Sequence, residues 1–265
     1  PALAGALIAG PGVAWCFVVN AVTYLAVIGG LVAMDRSAFR SPPRVAKAKR
    51  QIRAGLRYAW QTPDLRVPLV LVAAVGTLAF NYQVTLPLLA ERTFAGTATT
   101  FTLLFAVMSA GSLAGALMVA RRTAVDLRFL VRAGTGLTVG TAALTLAPTL
   151  PVALVAVLPV GYYSIFLISG ANALVQMRAE PVMRGRVLAL FAVVFLGTTP
   201  IGGPVVGWLS QVADPRAGLA IGGLAAGLAT LWTARQAAAV RRAGAQPGAA
   251  EAVADEPTGP VPVAA

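Results

Sequence analysis

Histidine is absent from this 265-residue chain, cysteine occurs once, at Cys16, and only 11% of the residues are charged. Each shortage excludes something. A disulfide framework needs paired cysteines. Zinc sites normally draw on Cys and His, so no metal ligands are assigned. Ser-His-Asp and Cys-His catalysis need an imidazole, and no glycine cluster runs into the Lys-Ser/Thr of a nucleotide-binding loop. The chain therefore does not read as an enzyme: no catalytic residue and no cofactor is expected. Soluble domains carry roughly 25% charged residues, more than twice the share found here.

What fills the space is apolar. Hydrophobic residues make up 58% of the chain. Residues 1–34, 67–90, 93–120, 133–177, 187–213 and 217–234 contain no Asp, Glu, Lys or Arg. Runs of about 18 or more mostly apolar residues read as membrane-spanning helices. The run 133–177 is too long for one span of about 20 residues. Ala147-Pro148-Thr149-Leu150-Pro151 divides it, because two prolines three apart mark a turn. Seven spans follow, at about 13–34, 67–90, 98–120, 129–147, 152–177, 187–210 and 217–236. The expected fold class is all-α, a polytopic membrane protein. Residues 1–11 are too short to cross and lack the basic start of a signal peptide. They read as the end of a preceding hydrophobic helix, with Gly10-Pro11-Gly12 as its turn. The chain is thus expected to be the C-terminal part of a longer protein.

The few charges are unevenly placed. Nineteen of the 21 Lys and Arg residues fall in 35–66, after the third span, after the fifth and after the last. With seven alternating crossings these segments share one side, and only Arg92 and Arg216 lie opposite. The positive-inside rule makes the rich side cytoplasmic. That makes the C-terminus cytoplasmic. The net charge of +12 then reports basic loops beside anionic lipid. No zinc-finger spacing or RNA-binding aromatic pattern accompanies it, so nucleic acid is not an expected partner.

Four regions are expected: 1–36, the end of a first helical bundle; 37–66, a cytoplasmic linker; 67–238, a six-helix bundle; and 239–265, a disordered tail. In the linker, 45–61 reads as an amphipathic helix. Val45, Ile52, Leu56, Ala59 and Trp60 gather to one side, and Tyr58 and Trp60 suit headgroup depth. The tail is rich in Ala, Pro and Gly and cannot build an apolar face.

No acid or base sits clearly within a span, which leaves the coupling ion open. The polar groups inside are amides and phenols: Asn20 and Tyr24, Asn81, Tyr82 and Gln83, Tyr162 and Tyr163, Asn172 and Gln176. In hydrocarbon they need partners, so they join helices or line a solute path. Asn81, Gln83 and Tyr163 are the leading candidates for the path. Glycines recur at four-residue spacing, as in Gly111 and Gly115 or Gly136 and Gly140, which lets helices approach closely. Pro200, Gly202, Gly203 and Pro204 within one span predict a kink or local unwinding, either static or used in gating.

Several stretches resemble the major facilitator superfamily, and most of all its enterobactin-exporter-like and macrolide-efflux-like bacterial branch. They are Ala14-Trp15-Cys16-Phe17-Val18-Val19-Asn20-Ala21, Gly55-Leu56-Arg57-Tyr58, Phe80-Asn81-Tyr82-Gln83-Val84-Thr85-Leu86-Pro87, Ala171-Asn172-Ala173-Leu174-Val175-Gln176 and Pro181-Val182-Met183-Arg184-Gly185-Arg186. The resemblance implies a twelve-helix protein in two halves, of which this chain holds the end of helix five, helix six and the second half. The missing N-terminal half would be its main partner, with the bilayer, a small organic solute, and a proton or other coupling ion. The family's basic motif is partly visible at Gly115 through Arg121 and Arg122. Its acidic companion is not in the expected place, Asp126 being the nearby acid. Arg184 and Arg186, with Glu180 beside them, match an inner-gate or lipid-contact region. The implied function is secondary active export of a drug- or siderophore-like compound by alternating access. The alternative is a non-transporting scaffold or accessory protein, or an incomplete transporter.

Overall fold

The computed structural model describes residues 7, 10, 12–34, 51–122, 124–197 and 199–244. Most of the expected helix end at 1–11, residues 35–50 of the linker, Thr198 and the tail beyond residue 244 lie outside the described residues. The described chain is helical throughout: α1 (Val13–Val32), α2 (Gln51–Gln61), α3 (Pro63–Leu78), α4 (Tyr82–Leu88) with a π-helical turn (Leu89–Thr93), α5 (Ala98–Ala120), α6 (Leu127–Thr145), α7 (Leu150–Arg178), α8 (Pro181–Gly197), α9 (Thr199–Val212) and α10 (Pro215–Gly244). No strand occurs among the described residues. The fold class is the all-α polytopic bundle that the hydropathy demands.

Six segments are long and apolar enough to cross a membrane: α1, α3 through the π turn, α5, α7, α8 with α9, and α10. The seventh expected span, α6, exists as a 19-residue helix but is not among them. It opens on Arg128 and Arg132 and carries four threonines, which lower its hydropathy. Helices also begin earlier than the uncharged runs. α3 takes Asp64 and Arg66 into its first turn, and α8 starts at Pro181 and includes Arg184 and Arg186. Proline fits a first helical turn because its missing N–H is unpaired there anyway. Long basic side chains can reach the headgroups from a helix end, so charge marks the membrane edge rather than the helix end.

One span is broken among the described residues. Between α3 and α4 the chain leaves the helix at Ala79–Phe80 and restarts at the cap residue Asn81. The Asn81 carbonyl accepts the Val84 and Thr85 N–H groups at 3.0 Å each. Its Nδ2 donates to the Thr77 carbonyl at 2.8 Å, which the break would otherwise leave open. Pro87 removes the N–H that would close on Gln83, and the π turn follows. Thr198, between α8 and α9, lies outside the described residues, and the two helices together make one candidate span, Pro181–Val212. α9 adjoins the α3–α4 break: a Cβ on Gly202 would lie 1.5 Å from the Thr77 carbonyl oxygen, and one on Gly203 would touch Asn81 Oδ1 at 3.7 Å. Glycine alone permits that approach.

α3 forms the centre, with Leu65, Val67, Leu71, Val72 and Val75 fully buried between α7, α8, α9 and α10. α5 and α7 meet backbone to backbone. A Cβ on Gly111 would sit 2.1 Å from the Leu158 carbonyl, and one on Gly161 1.9 Å from that of Met108. The Ser112 hydroxyl donates at 3.0 Å to Met108 and lies 3.2 Å from the Gly161 carbonyl.

At the arginine-rich end, α2 docks on the bundle instead of lying wholly on the membrane surface. Ala59 is buried, Gly55 faces Arg186 Cβ, and the Tyr58 hydroxyl accepts the Glu180 N–H at 3.2 Å. Leu56 and Trp60 stay exposed. The small pair Gly55 and Ala59, one turn apart, lets α2 close on α8 and splits the expected apolar face. Arg178 and Asp64, at 3.5 Å, form the one ion pair among the described residues. At the opposite end each of the two sparse arginines holds a carbonyl near a helix end. Arg92 donates to Gln211 at 3.0 Å and Arg216 to Ala147 at 2.7 Å. Cations suit helix C-termini, where the carbonyls lack partners.

Candidate functional site

α6 and α7 enclose an open cavity of about 660 Å³. Its wall is aromatic. Tyr162 stacks on Phe166 with centroids 5.3 Å apart and planes 21° apart, and Tyr163 meets Tyr162 edge-on at 4.9 Å. Phe129 crosses from α6 to lie 4.2 Å from Phe166. These rings are held by local structure. Asp126 caps α6, accepting the Phe129 N–H at 2.8 Å, and so fixes Phe129 in the first turn. The Phe129 ring fills the notch over Gly170, and the Tyr163 ring covers Gly136; a Cβ at either glycine would meet the ring at 2.3 and 2.5 Å. Along α6 the cavity extends from Phe129 to Ala143, roughly 21 Å at 1.5 Å per residue. Arg122 and Arg132 line its basic end, and Val139, Gly140 and Pro159 its deeper part. A concave, mainly apolar wall with a few polar groups is how proteins hold organic ligands. Flat rings here offer stacking, and two guanidinium groups offer an anionic group its partners.

The expected site residues divide among different places. Tyr162 and Tyr163 both line this cavity, and Arg122 is at its edge. Tyr82 is buried away from it, its hydroxyl 3.2 Å from Ser164 Oγ, and so joins α4 to α7. Asn81 is buried at the helix break, and Gln83, in the first turn of α4, is exposed. Asn172 and Gln176 bond to each other, one turn apart on α7, and line a separate hollow of about 440 Å³. Asn20 and Tyr24 lie on α1, which buries none of its residues. Pro200, Gly202, Gly203 and Pro204 are in the first turns of α9, where Gly202 abuts α3. Arg121 and Arg184 are exposed, Arg186 is half-buried against Gly55, and the Glu180 carboxylate makes no ion pair among the described residues.

Sequence reasoning did not single out Phe129, Phe166, Arg132 or Gly136 for this cavity. Phe166 carried a usable signal, lying one turn beyond Tyr162 on the same helix face. Phe129 carried none, because only the α6–α7 packing brings it across.

A family model described as transmembrane secretion effector, of the major facilitator type, matches residues 1–261. No match was found among curated proteins or among solved structures.

Proposed function

We propose, from the premise that the chain belongs to the transmembrane secretion effector family of major-facilitator transporters, that it exports a small, ring-bearing organic solute by alternating access. Membrane transport is the family's role; solute and mechanism are our reading. The observation that carries it is the aromatic cavity between α6 and α7, with Arg122 and Arg132 at its basic end. Its chemistry favours a flat amphipathic compound with a negative group, within the drug- or siderophore-like range of the branch that the sequence resembles. The broken span α3–α4, which α9 meets at Gly202 and Thr77, is suited to act as the hinge, because interrupted helices serve gating in transporters.

The rest of the reading follows from orientation. The arginine-rich end faces the cytoplasm of a bacterial cell, with the C-terminus on that side. α1 belongs to a first bundle supplied by an N-terminal half, and its apolar surface, none of whose residues is buried, supports this. The regions 37–66, 67–238 and 239–265 serve as linker, second bundle and tail. A proton or another ion drives the cycle.

The test is flux in proteoliposomes holding the intact protein under an imposed pH gradient, with fluorescein as an anionic ring-bearing probe and ethidium as a cationic one. Gradient-dependent, saturable fluorescein movement is expected. Tyr163→Ala should lower it about tenfold through lost ring contact, with little change in the unfolding midpoint. Flux that is absent for both probes, or unaffected by Tyr163→Ala, overturns the assignment.

A further inference from the structure

We propose that the seam between α6 and α10 binds an anionic phospholipid, with Arg128, Arg132 and Arg241 around its phosphate. These three arginines and the small residues Ala234, Ala237 and Ala238 line a pocket of about 500 Å³ at the basic end of the two helices. All three arginines are exposed, and none forms an ion pair among the described residues. The adjoining acid in sequence, Asp126, uses its carboxylate on the Phe129 N–H. Arg132 Nε is 3.4 Å from the Arg128 carbonyl, so the two side chains start from the same turn of α6. Three cations thus converge without a counter-charge over a floor of alanines. Guanidinium groups fit phosphate in a fork, and basic pockets between membrane helices at the cytoplasmic side are suited to anionic headgroups.

The second half of the argument is what lies beneath. The same seam holds another cavity of about 460 Å³, almost wholly apolar, between Thr138, Ala142 and Leu146 of α6 and Leu224, Leu228 and Leu231 of α10. Along α6 it begins about 9 Å beyond Arg132 and continues for about 12 Å, at 1.5 Å per residue. Arg128 and Arg132 line the upper pocket one turn apart, and Thr138, Ala142 and Leu146 line the lower one at one-turn steps, so both open on the same α6–α10 seam. A cationic cup above an apolar trough on one membrane seam is complementary to an acyl lipid. Free phosphate would use only the cup.

Arg132 also lines the aromatic cavity, so the decisive variant spares it. The intact protein in detergent is titrated with dioleoylphosphatidylglycerol, dioleoylphosphatidylcholine or inorganic phosphate, following the unfolding midpoint. Phosphatidylglycerol should raise the midpoint at concentrations where the other two do not. The Arg128→Gln/Arg241→Gln double variant should weaken that response about tenfold, two surface cations being removed. Arg53→Gln/Arg57→Gln, which removes two exposed arginines of α2 on the same side, should leave it unchanged. An equal loss in the α2 variant means diffuse attraction to basic loops and overturns the proposal. So does phosphatidylcholine or inorganic phosphate protecting as well as phosphatidylglycerol.

Discussion

α7 has two unlike sides. Towards α5 it is sealed, with Gly111, Gly115 and Gly161 bringing backbone against backbone. Towards α6 it is open, and the glycines there, Gly136 and Gly140, border the aromatic cavity. The spacing in sequence is the same, four residues in each pair. What differs is the atom each glycine meets. Gly111 meets a carbonyl oxygen of the neighbouring helix, whereas Gly136 meets the edge of the Tyr163 ring. A glycine facing backbone closes a seam. A glycine facing a ring makes room for that ring, and the ring then forms the wall of a cavity.

Gly111→Ala is the strongest way to break this contrast. The new methyl would lie 2.1 Å from the Leu158 carbonyl, and a backbone oxygen can retreat only if the helices part. Overpacking of this kind costs up to about 3 kcal/mol, against a gain of about 1 kcal/mol from replacing Gly by Ala within a helix. A net loss of about 2 kcal/mol is expected, seen as a lower unfolding midpoint in detergent and a poorer yield. An unchanged midpoint would mean that the α5–α7 seam is not sealed as described.

Gly136→Ala should act differently. Its methyl meets Tyr163 ring carbons at 2.5 Å, and that ring borders open space into which it can turn. Stability should change by less than about 1 kcal/mol, with the helix-propensity gain offsetting the displacement. Solute binding should fall, because the ring moves into the cavity. The pair of variants separates the two sides of α7: one loses stability, the other loses binding.

How much of this was legible in the sequence depends on which partner a residue needs. The helices were, because long uncharged runs have few other solutions. The glycine pairs were legible as close-approach positions, but not which side would close, since that depends on the residue opposite. The α3–α4 break was half-legible: Asn81 stood out as a polar residue in a span, yet its role in satisfying Thr77 needs the backbone path. α6 was drawn from its apolar centre at 129–147, and the role of Asp126 as its cap was not read from the sequence. Arg92 and Arg216 looked like exceptions to a charge bias. They are the residues that close carbonyls at the opposite end, a reason local sequence does not display because their partners lie far along the chain.

The smallest expected effect concerns the third contact of α7, towards α4. Tyr82 is buried, and its hydroxyl and Ser164 Oγ lie 3.2 Å apart. This is the only side on which α7 is held to a broken helix by a side-chain hydrogen bond among the described residues. Tyr82→Phe keeps the ring, and with it the tilted packing on Phe80 at 5.9 Å, but removes the hydroxyl. Hydrogen bonds between membrane helices average about 0.6 kcal/mol, because the separated helices also find partners. A midpoint shift at the edge of measurement is therefore expected. Ser164→Ala should give a shift of the same size, and the double variant should cost little more than either alone, since both remove one bond. Additive losses in the double variant would show that the two hydroxyls do not bond to each other. α7 would then meet α4 without a side-chain hydrogen bond.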